Sequence, residues 1–406
     1  MAKRGGSVVL AALVLAAVVL VWAGAGAGRS AHAARRAVHL TVSPESVLVD
    51  DPVEMRGTGL RPGGNVTLEL SMRDRVGIAW RSRTTLHVDG HGTVDTHASM
   101  KPFWSMQPVG KPVATTQFAS TRGPLAIAVS LVQGGRTLAR AGVLRSTEAA
   151  GLVATDTTLG GEGFVGTYYS LPSTHPGPAL IALDGSGGGH SELPWAVFAS
   201  HGYPTLALAY FGEGGLPATL KDIPLEYFEK ALRWLGEQPG VDPRRLVVAG
   251  ISRGGEAALL LGATYPDLVR GIVACTPSAD VLPSTSGTGS AWTLHGKAVP
   301  LGPVPVEAIG GPTWVTGGGK DEISDSAQAV RDILSRAKAH GRKNVSGGVY
   351  PRAGHAVGCV IPNQPLPEQF SLGPGGGYFE RGGTPTANEA AAAASWPRVF
   401  ELLRSL

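Results

Sequence analysis

Leu246-Val247-Val248-Ala249-Gly250-Ile251-Ser252-Arg253-Gly254-Gly255-Glu256-Ala257-Ala258-Leu259-Leu260-Leu261 is the stretch on which the reading of this chain turns. Its first four residues form a short apolar run, and its last five are the Ala and Leu of a good helix former. Between them lies G-x-S-x-G, so the segment predicts strand, tight turn and helix. Glycines flank the serine because backbone crowds backbone at such a turn, and the Ser252 hydroxyl is held above the edge of the sheet.

Working outward, residues 178–183, 204–208, 271–274, 312–315 and 348–350 are further short, nearly continuous apolar runs. Strands buried on both faces read this way. Helical patterns cover 225–235, 256–265 and 325–339, and another closes the chain at 388–403. This alternation predicts a mostly parallel, doubly wound α/β sheet over residues 159–406, with right-handed crossovers. Two intervals break it. Residues 280–311 are rich in Gly, Pro, Ser and Thr and exceed an ordinary connection; they read either as a lid or substrate-pocket wall or as a plain insertion. Residues 365–383 are a second irregular stretch.

Upstream the pattern changes. Residues 38–145 carry alternating apolar segments between turn signals, such as Val66-Thr67-Leu68-Glu69-Leu70 after Pro62-Gly63-Gly64. That predicts an antiparallel β-sandwich, joined by a linker at 146–158 to the α/β domain. Asp89, His91, Asp95 and His97 cluster there, but they flank a turn at Gly90 and Gly92 and read as a solvated hairpin rather than a metal site.

The chain has 406 residues, 43% of them hydrophobic, enough for two cores. Lys and Arg number 35 against 31 Asp and Glu, with no basic block in the body of the chain, so nucleic acid is not an expected partner. Lys3-Arg4, an uncharged apolar run from Ser7 to about Ala27, and Ala31-His32-Ala33 make a secretory layout. Residues 1–33 are therefore expected to be a signal peptide or, since the run is long enough to span a bilayer, an N-terminal membrane anchor. Either places the folded part outside the cytoplasm. Cys275 and Cys359 could pair in an oxidising compartment; the favoured reading is two small buried thiols.

A serine is a weak nucleophile without a base and an orienting acid. After an elbow these follow as acid, then histidine, on loops beyond later strands. Asp321 lies in Gly319-Lys320-Asp321 after the run ending at Thr316, and His355 in Arg352-Ala353-Gly354-His355 after Val349-Tyr350. Rival bases are His190, His201 and His295, which fall out of order, and rival acids are Glu322 and Asp325. Asp321 is nearest the strand end. For the developing oxyanion, the backbone N–H of Arg253 is one donor by motif, and Asp184-Gly185-Ser186-Gly187-Gly188-Gly189 offers the second from Ser186 or Gly187. Glu256 either braces the site or answers the helix dipole. This chemistry requires no metal and no organic cofactor.

From about Leu40 to its end the chain resembles the acyl-CoA thioester hydrolase and bile acid-CoA:amino acid N-acyltransferase (BAAT) family. The resemblance is carried by Ser71-Met72-Arg73-Asp74, Gly185-Ser186-Gly187-Gly188, Gly250-Ile251-Ser252-Arg253-Gly254-Gly255-Glu256, Gly319-Lys320-Asp321-Glu322, Tyr350-Pro351-Arg352-Ala353-Gly354-His355 and Ser395-Trp396-Pro397. It implies a β-sandwich ahead of an α/β-hydrolase domain, and Ser252, Asp321 and His355 as nucleophile, acid and base. It further implies a small-molecule acyl thioester or ester substrate. The acyltransferase branch uses Cys at the elbow, so Ser252 argues for water as acceptor. An exported enzyme would not ordinarily meet acyl-CoA. The alternatives are an extracytoplasmic carboxylesterase or dienelactone-hydrolase-like enzyme and, in another class, a non-catalytic envelope binding protein on a hydrolase fold.

Overall fold

The computed structural model describes residues 37–406 except 114, 115, 117, 121, 122, 174, 192, 356, 367, 368 and 372–377. The expected leader at 1–33 lies outside the described residues. Among these residues, no helix is long and apolar enough to cross a membrane.

An eight-stranded sheet runs in spatial order Val153–Thr157, Val165–Ser170, Thr205–Ala209, Gly177–Leu183, Val241–Ile251, Gly271–Cys275, Thr313–Gly318 and Val345–Tyr350. Neighbours from Thr205–Ala209 onward are parallel, and the first two pairings are antiparallel. Apolar continuity has the expected cause, since every residue of Thr205–Ala209 and Gly271–Cys275 is buried. Alternate side chains go to opposite faces. Ile181, Leu183, Leu206, Leu208 and Val248 pack with helices Leu225–Gly236, Arg253–Thr264 and Ser326–Ala339. Leu180, Ala182, Ala207, Val247 and Ala249 pack with Leu193–Ser200 and Pro385–Ser405.

At three segments the structure goes beyond or corrects the sequence reading. The segment 146–158 is not wholly a linker, because Val153–Thr157 is the edge strand of the large sheet. It is exposed at four of its five positions, so it has no apolar run to announce it. The helix Leu193–Ser200 was not anticipated, because Trp195 through Ala199 are all buried and the segment has no polar face to produce a helical period. Of the readings open for residues 280–311, lid, pocket wall or plain insertion, the structure fits the last, a folded insertion packed on the core. Asp280–Val281 pairs with Gly302–Pro303, and Trp292–Leu294 pairs with Ile223–Pro224 and Lys297–Ala298. Trp292, Val304, Val306 and Ile309 are sunk in the core beside helix Arg253–Thr264.

The sandwich holds a six-stranded sheet in the order Ser46–Leu48, Arg136–Ser146, Leu125–Gln133, Asn65–Arg73, Ala79–His87 and Gln107–Pro108, and a three-stranded sheet of His39–Ser43, Glu54–Thr58 and Val94–Asp95. Asn65–Arg73 buries alternate residues, which send Val66, Leu68, Leu70 and Met72 inward. The Asp89 turn is solvated as expected, its carboxylate accepting from the N–H groups of His91 and Thr93.

Polar contacts stitch the sandwich to the α/β sheet's domain. Buried Arg145 donates to the carbonyls of Asn363 (2.6 Å) and Val49. Asp50 accepts from His201 Nε2 at 3.0 Å and Trp396 Nε1 at 2.8 Å. Glu389, whose carboxyl burial pushes up to about 8, accepts from the Asn363 N–H. Burial thus keeps the Glu389 carboxyl largely neutral near pH 7, while the deep Arg145 charge is tolerated because carbonyls accept from it and Asp50 lies nearby.

Candidate active site

The strand Val241–Ile251 passes into helix Arg253–Thr264 through Ser252, which sits at φ 57° and ψ −119°. A non-glycine residue held there stores backbone strain. The flanking glycines permit it, because a Cβ on Gly250 would strike the Gly254 carbonyl and one on Gly254 the carbonyls of Leu183 and Asp184. The Arg253 N–H opens the helix among its unpaired donors.

Asp321 follows the strand Thr313–Gly318, and His355 follows Val345–Tyr350. The two loops bring His355 Nδ1 to 2.7 Å from Asp321 Oδ2. Asp321 Oδ2 also accepts from Ser326 Oγ at 2.5 Å, and Oδ1 from the N–H groups of Ile323 and Ser324. Burial by itself would raise this carboxyl, but the His355 hydrogen bond and charge, with Ser326 and Ser324, hold it below the ordinary carboxylate range. His355 is fixed by its own N–H on the Arg381 carbonyl, 2.8 Å away, and its Nε2 lies 3.5 Å from Thr276 Oγ1. Of the rival acids, Asp325 caps helix Ser326–Ala339 and Glu322 is exposed.

Ser252 and His355 line one cavity of about 890 Å³. Gly185, Ser186 and Gly187 border it, with Ile251, Trp195, Ile361 and Phe379 giving an apolar share. Gly185 has the closest approach, for a Cβ there would stand 3.1 Å from Ser252 Cβ. The loop is braced from behind, where Gly189 N–H donates to the Phe211 carbonyl and His190 donates twice to Glu213 Oε2. The wall expected of 280–311 comes instead from residues around 360–366 and 379–381, with Phe118 and Ser120 of the sandwich.

The Arg253 side chain pairs with Glu256 at 2.9 Å and donates to the carbonyls of Leu282 and Pro283. Glu256 accepts from Trp292 Nε1 at 2.7 Å and from Leu282 N–H. Burial pushes its carboxyl up to about 7 against the pull of Arg253. Of its two readings, the brace is the one with contacts, and it clamps the insertion to the elbow.

Cys275 and Cys359 form a disulfide, which corrects the reading as free thiols. It joins the end of strand Gly271–Cys275 to the loop after His355, and Cys359 faces the cavity. Sequence reasoning also passed over Thr276, Ser326 and Phe118; Ser326 alone had a signal, as the first residue of a helix behind a candidate acid. Asp50, Asp51 and His201 have metal-donor atoms within 4.8 Å of one another, but they lie at the junction described above, where Asp50 is already taken by His201 and Trp396.

The model of the acyl-CoA thioester hydrolase/BAAT N-terminal region matches residues 50–156, and that of the BAAT/acyl-CoA thioester hydrolase C terminus matches 223–285 and 293–405. Human acyl-coenzyme A thioesterase 1 is 28% identical over 401 residues, covering 86% of this chain and 92% of that protein. Human mitochondrial acyl-coenzyme A thioesterase 2 is 27% identical over 418 residues, covering 90% and 84%. Among solved structures, an alpha/beta hydrolase enzyme from a deep-sea metagenome library aligns at 16% identity and a TM-score of 0.37, over 50% of this chain and 82% of that one.

Proposed function

Because the chain belongs to the acyl-CoA thioester hydrolase/BAAT family, we propose that it is a serine hydrolase that cleaves acyl thioesters through an acyl-enzyme on Ser252. The observation that carries this reading is the His355–Asp321 pair, 2.7 Å apart, opening on the cavity that also holds the strained Ser252. His355 Nε2 takes the Ser252 proton as Oγ attacks the carbonyl carbon. The oxyanion is held by the N–H of Arg253 and one from Ser186 or Gly187. Collapse breaks the carbon–sulfur bond, and the thiolate leaves with the proton from His355. Water, deprotonated by the same nitrogen, then releases the acid and restores Ser252. Asp321 keeps Nδ1–H oriented and balances the imidazolium.

Export is part of the proposal. The basic start and apolar run of residues 1–33 support it, and so does a buried disulfide, which persists in oxidising compartments. These same observations favour a second reading, in which the physiological substrate is an extracytoplasmic ester and the thiol half of the family substrate is not used. The test is hydrolysis of short and long acyl-CoAs and p-nitrophenyl esters by wild type and Ser252→Ala, with fluorophosphonate labelling. We expect labelling of wild type alone and a loss in the variant of at least about a thousandfold. Retained turnover in Ser252→Ala overturns the assignment; turnover of esters without acyl-CoAs selects the second reading.

A further inference from the structure

Glu256 is wholly buried, and the proton transfers leave it without a part. Its Oε1 accepts from Trp292 Nε1 at 2.7 Å and from Leu282 N–H at 3.2 Å, while Oε2 lies 2.9 Å from the Arg253 guanidinium. Arg253 Nη2 in turn donates to the carbonyls of Leu282 and Pro283. A buried ion pair is a poor source of stability beside apolar packing of the same volume, so its place in the chain is what counts. Arg253 follows the nucleophile, and its backbone N–H is one of the two proposed oxyanion donors.

From Trp292 the contacts continue to the other donor. The Trp292 ring packs on Tyr210 with centroids 5.7 Å apart, and Phe228 meets both rings, at 6.0 and 5.4 Å. Tyr210 is buried, and its hydroxyl donates to the Asp184 carbonyl at 2.6 Å. That carbonyl leads directly into Gly185-Ser186-Gly187, the loop proposed to supply the second N–H. It also abuts the start of helix Arg253–Thr264, since a Cβ on Gly254 would strike it. The contacts therefore close a ring that runs from Arg253 through Glu256, Trp292, Tyr210 and Asp184 and returns through Gly254. Both proposed donors belong to backbone that this ring holds, and an oxyanion rewards donors only when they are placed to within about 0.5 Å.

We propose, on the acyl-enzyme reading of Ser252, that Glu256 and Tyr210 are positioning residues that act through Trp292 to fix the spacing between the Arg253 N–H and the N–H groups of residues 185–187. The insertion at 280–311 thereby gains a task in the reaction, since it supplies Trp292. The test is p-nitrophenyl ester kinetics together with inhibition by an alkyl boronic acid, which forms a tetrahedral adduct on serine, in wild type, Tyr210→Phe, Glu256→Gln and the double variant. Tyr210→Phe removes one oxygen and leaves Arg253 paired. Outright loss of an oxyanion donor costs about a hundredfold or more, so a displaced one should lower kcat by about tenfold, with KM within about twofold. Boronic-acid affinity should fall by the same factor as kcat. Glu256→Gln should act likewise, and the double variant should lose less than the product of the two single losses, because each opens the same ring. If Glu256→Gln does not fold, Trp292→Phe takes its place, removing the indole N–H that Glu256 accepts. Unchanged kcat and boronic-acid affinity in Tyr210→Phe overturn the proposal, as do a rise in KM alone or fully multiplicative losses. Failure of the Ser252 reading would show separately, as turnover retained in Ser252→Ala.

Discussion

Among the described residues, histidines meet carboxylates in several places: His355 with Asp321 at 2.7 Å, His190 with Glu213 at 2.9 Å, His201 with Asp50 at 3.0 Å, His295 with Glu226 at 3.1 Å and, more loosely, His97 with Asp95 at 3.7 Å. Proximity to an acid therefore does not mark a catalytic base. What separates the pairs is the space on the other side of the ring. His355 lines the Ser252 cavity with Nε2 toward Thr276, whereas His201 lies at the domain junction against Phe400 and His295 is largely in solvent. An imidazole becomes a base when a reacting proton can reach its second nitrogen.

The largest effect that could break this comparison belongs to His355→Gln. It keeps a polar group of similar reach but removes the proton carrier, so kcat/KM should fall by about ten thousandfold with the melting temperature little changed. The measurement is steady-state ester hydrolysis beside a thermal melt. A comparable loss in His201→Ala, with His355→Gln active, would put the base in the wrong pair.

His201→Ala should act on stability instead, by about 1–2 kcal/mol. Burial would lower the His201 value, but the Asp50 hydrogen bond and charge, with Asp51 behind it, outweigh burial and raise it above 6.5. A folded value raised above the unfolded one gives stabilisation that is complete below about pH 6.5 and is lost as pH rises through the higher folded value. The gap between wild-type and variant unfolding free energies should thus be widest in mild acid and close toward alkaline pH, with kcat/KM within about twofold throughout. A gap that widens with pH would mean that His201 is held neutral.

The same contrast explains what could be read from the chain. The elbow and the proposed acid and base each sit where an apolar strand stops and a glycine-rich loop begins, so local pattern locates them and their order suggests their roles. Phe118 gives no such signal, because only the pairing of distant strands carries it from the sandwich to the cavity. The role of 280–311 stays open in the sequence for a related reason: loop composition is visible, but the burial of Trp292 against Glu256 is a tertiary fact. The disulfide joins residues 84 apart, and spacing alone does not fix such a pairing.

Glu213→Ala probes the pair closest in kind to the working one, and its effect should be the smallest. His190 is 9% exposed and hydrogen-bonded on both ring nitrogens, to Glu213 and to Thr167 Oγ1 at 3.0 Å, so it has no nitrogen left for a substrate proton. Its place behind Gly185–Gly189 gives it a supporting part, steadying the loop proposed to bind the oxyanion. The Gly189 bond to Phe211 and the packing of Gly188 on Phe211 remain when Glu213 is lost. We therefore expect kcat/KM to drop only about threefold, in kcat more than in KM, since a donor displaced by a fraction of an ångström weakens transition-state binding first. A thousandfold loss would mean that this second pair carries protons, and having a free nitrogen on the cavity would no longer distinguish His355.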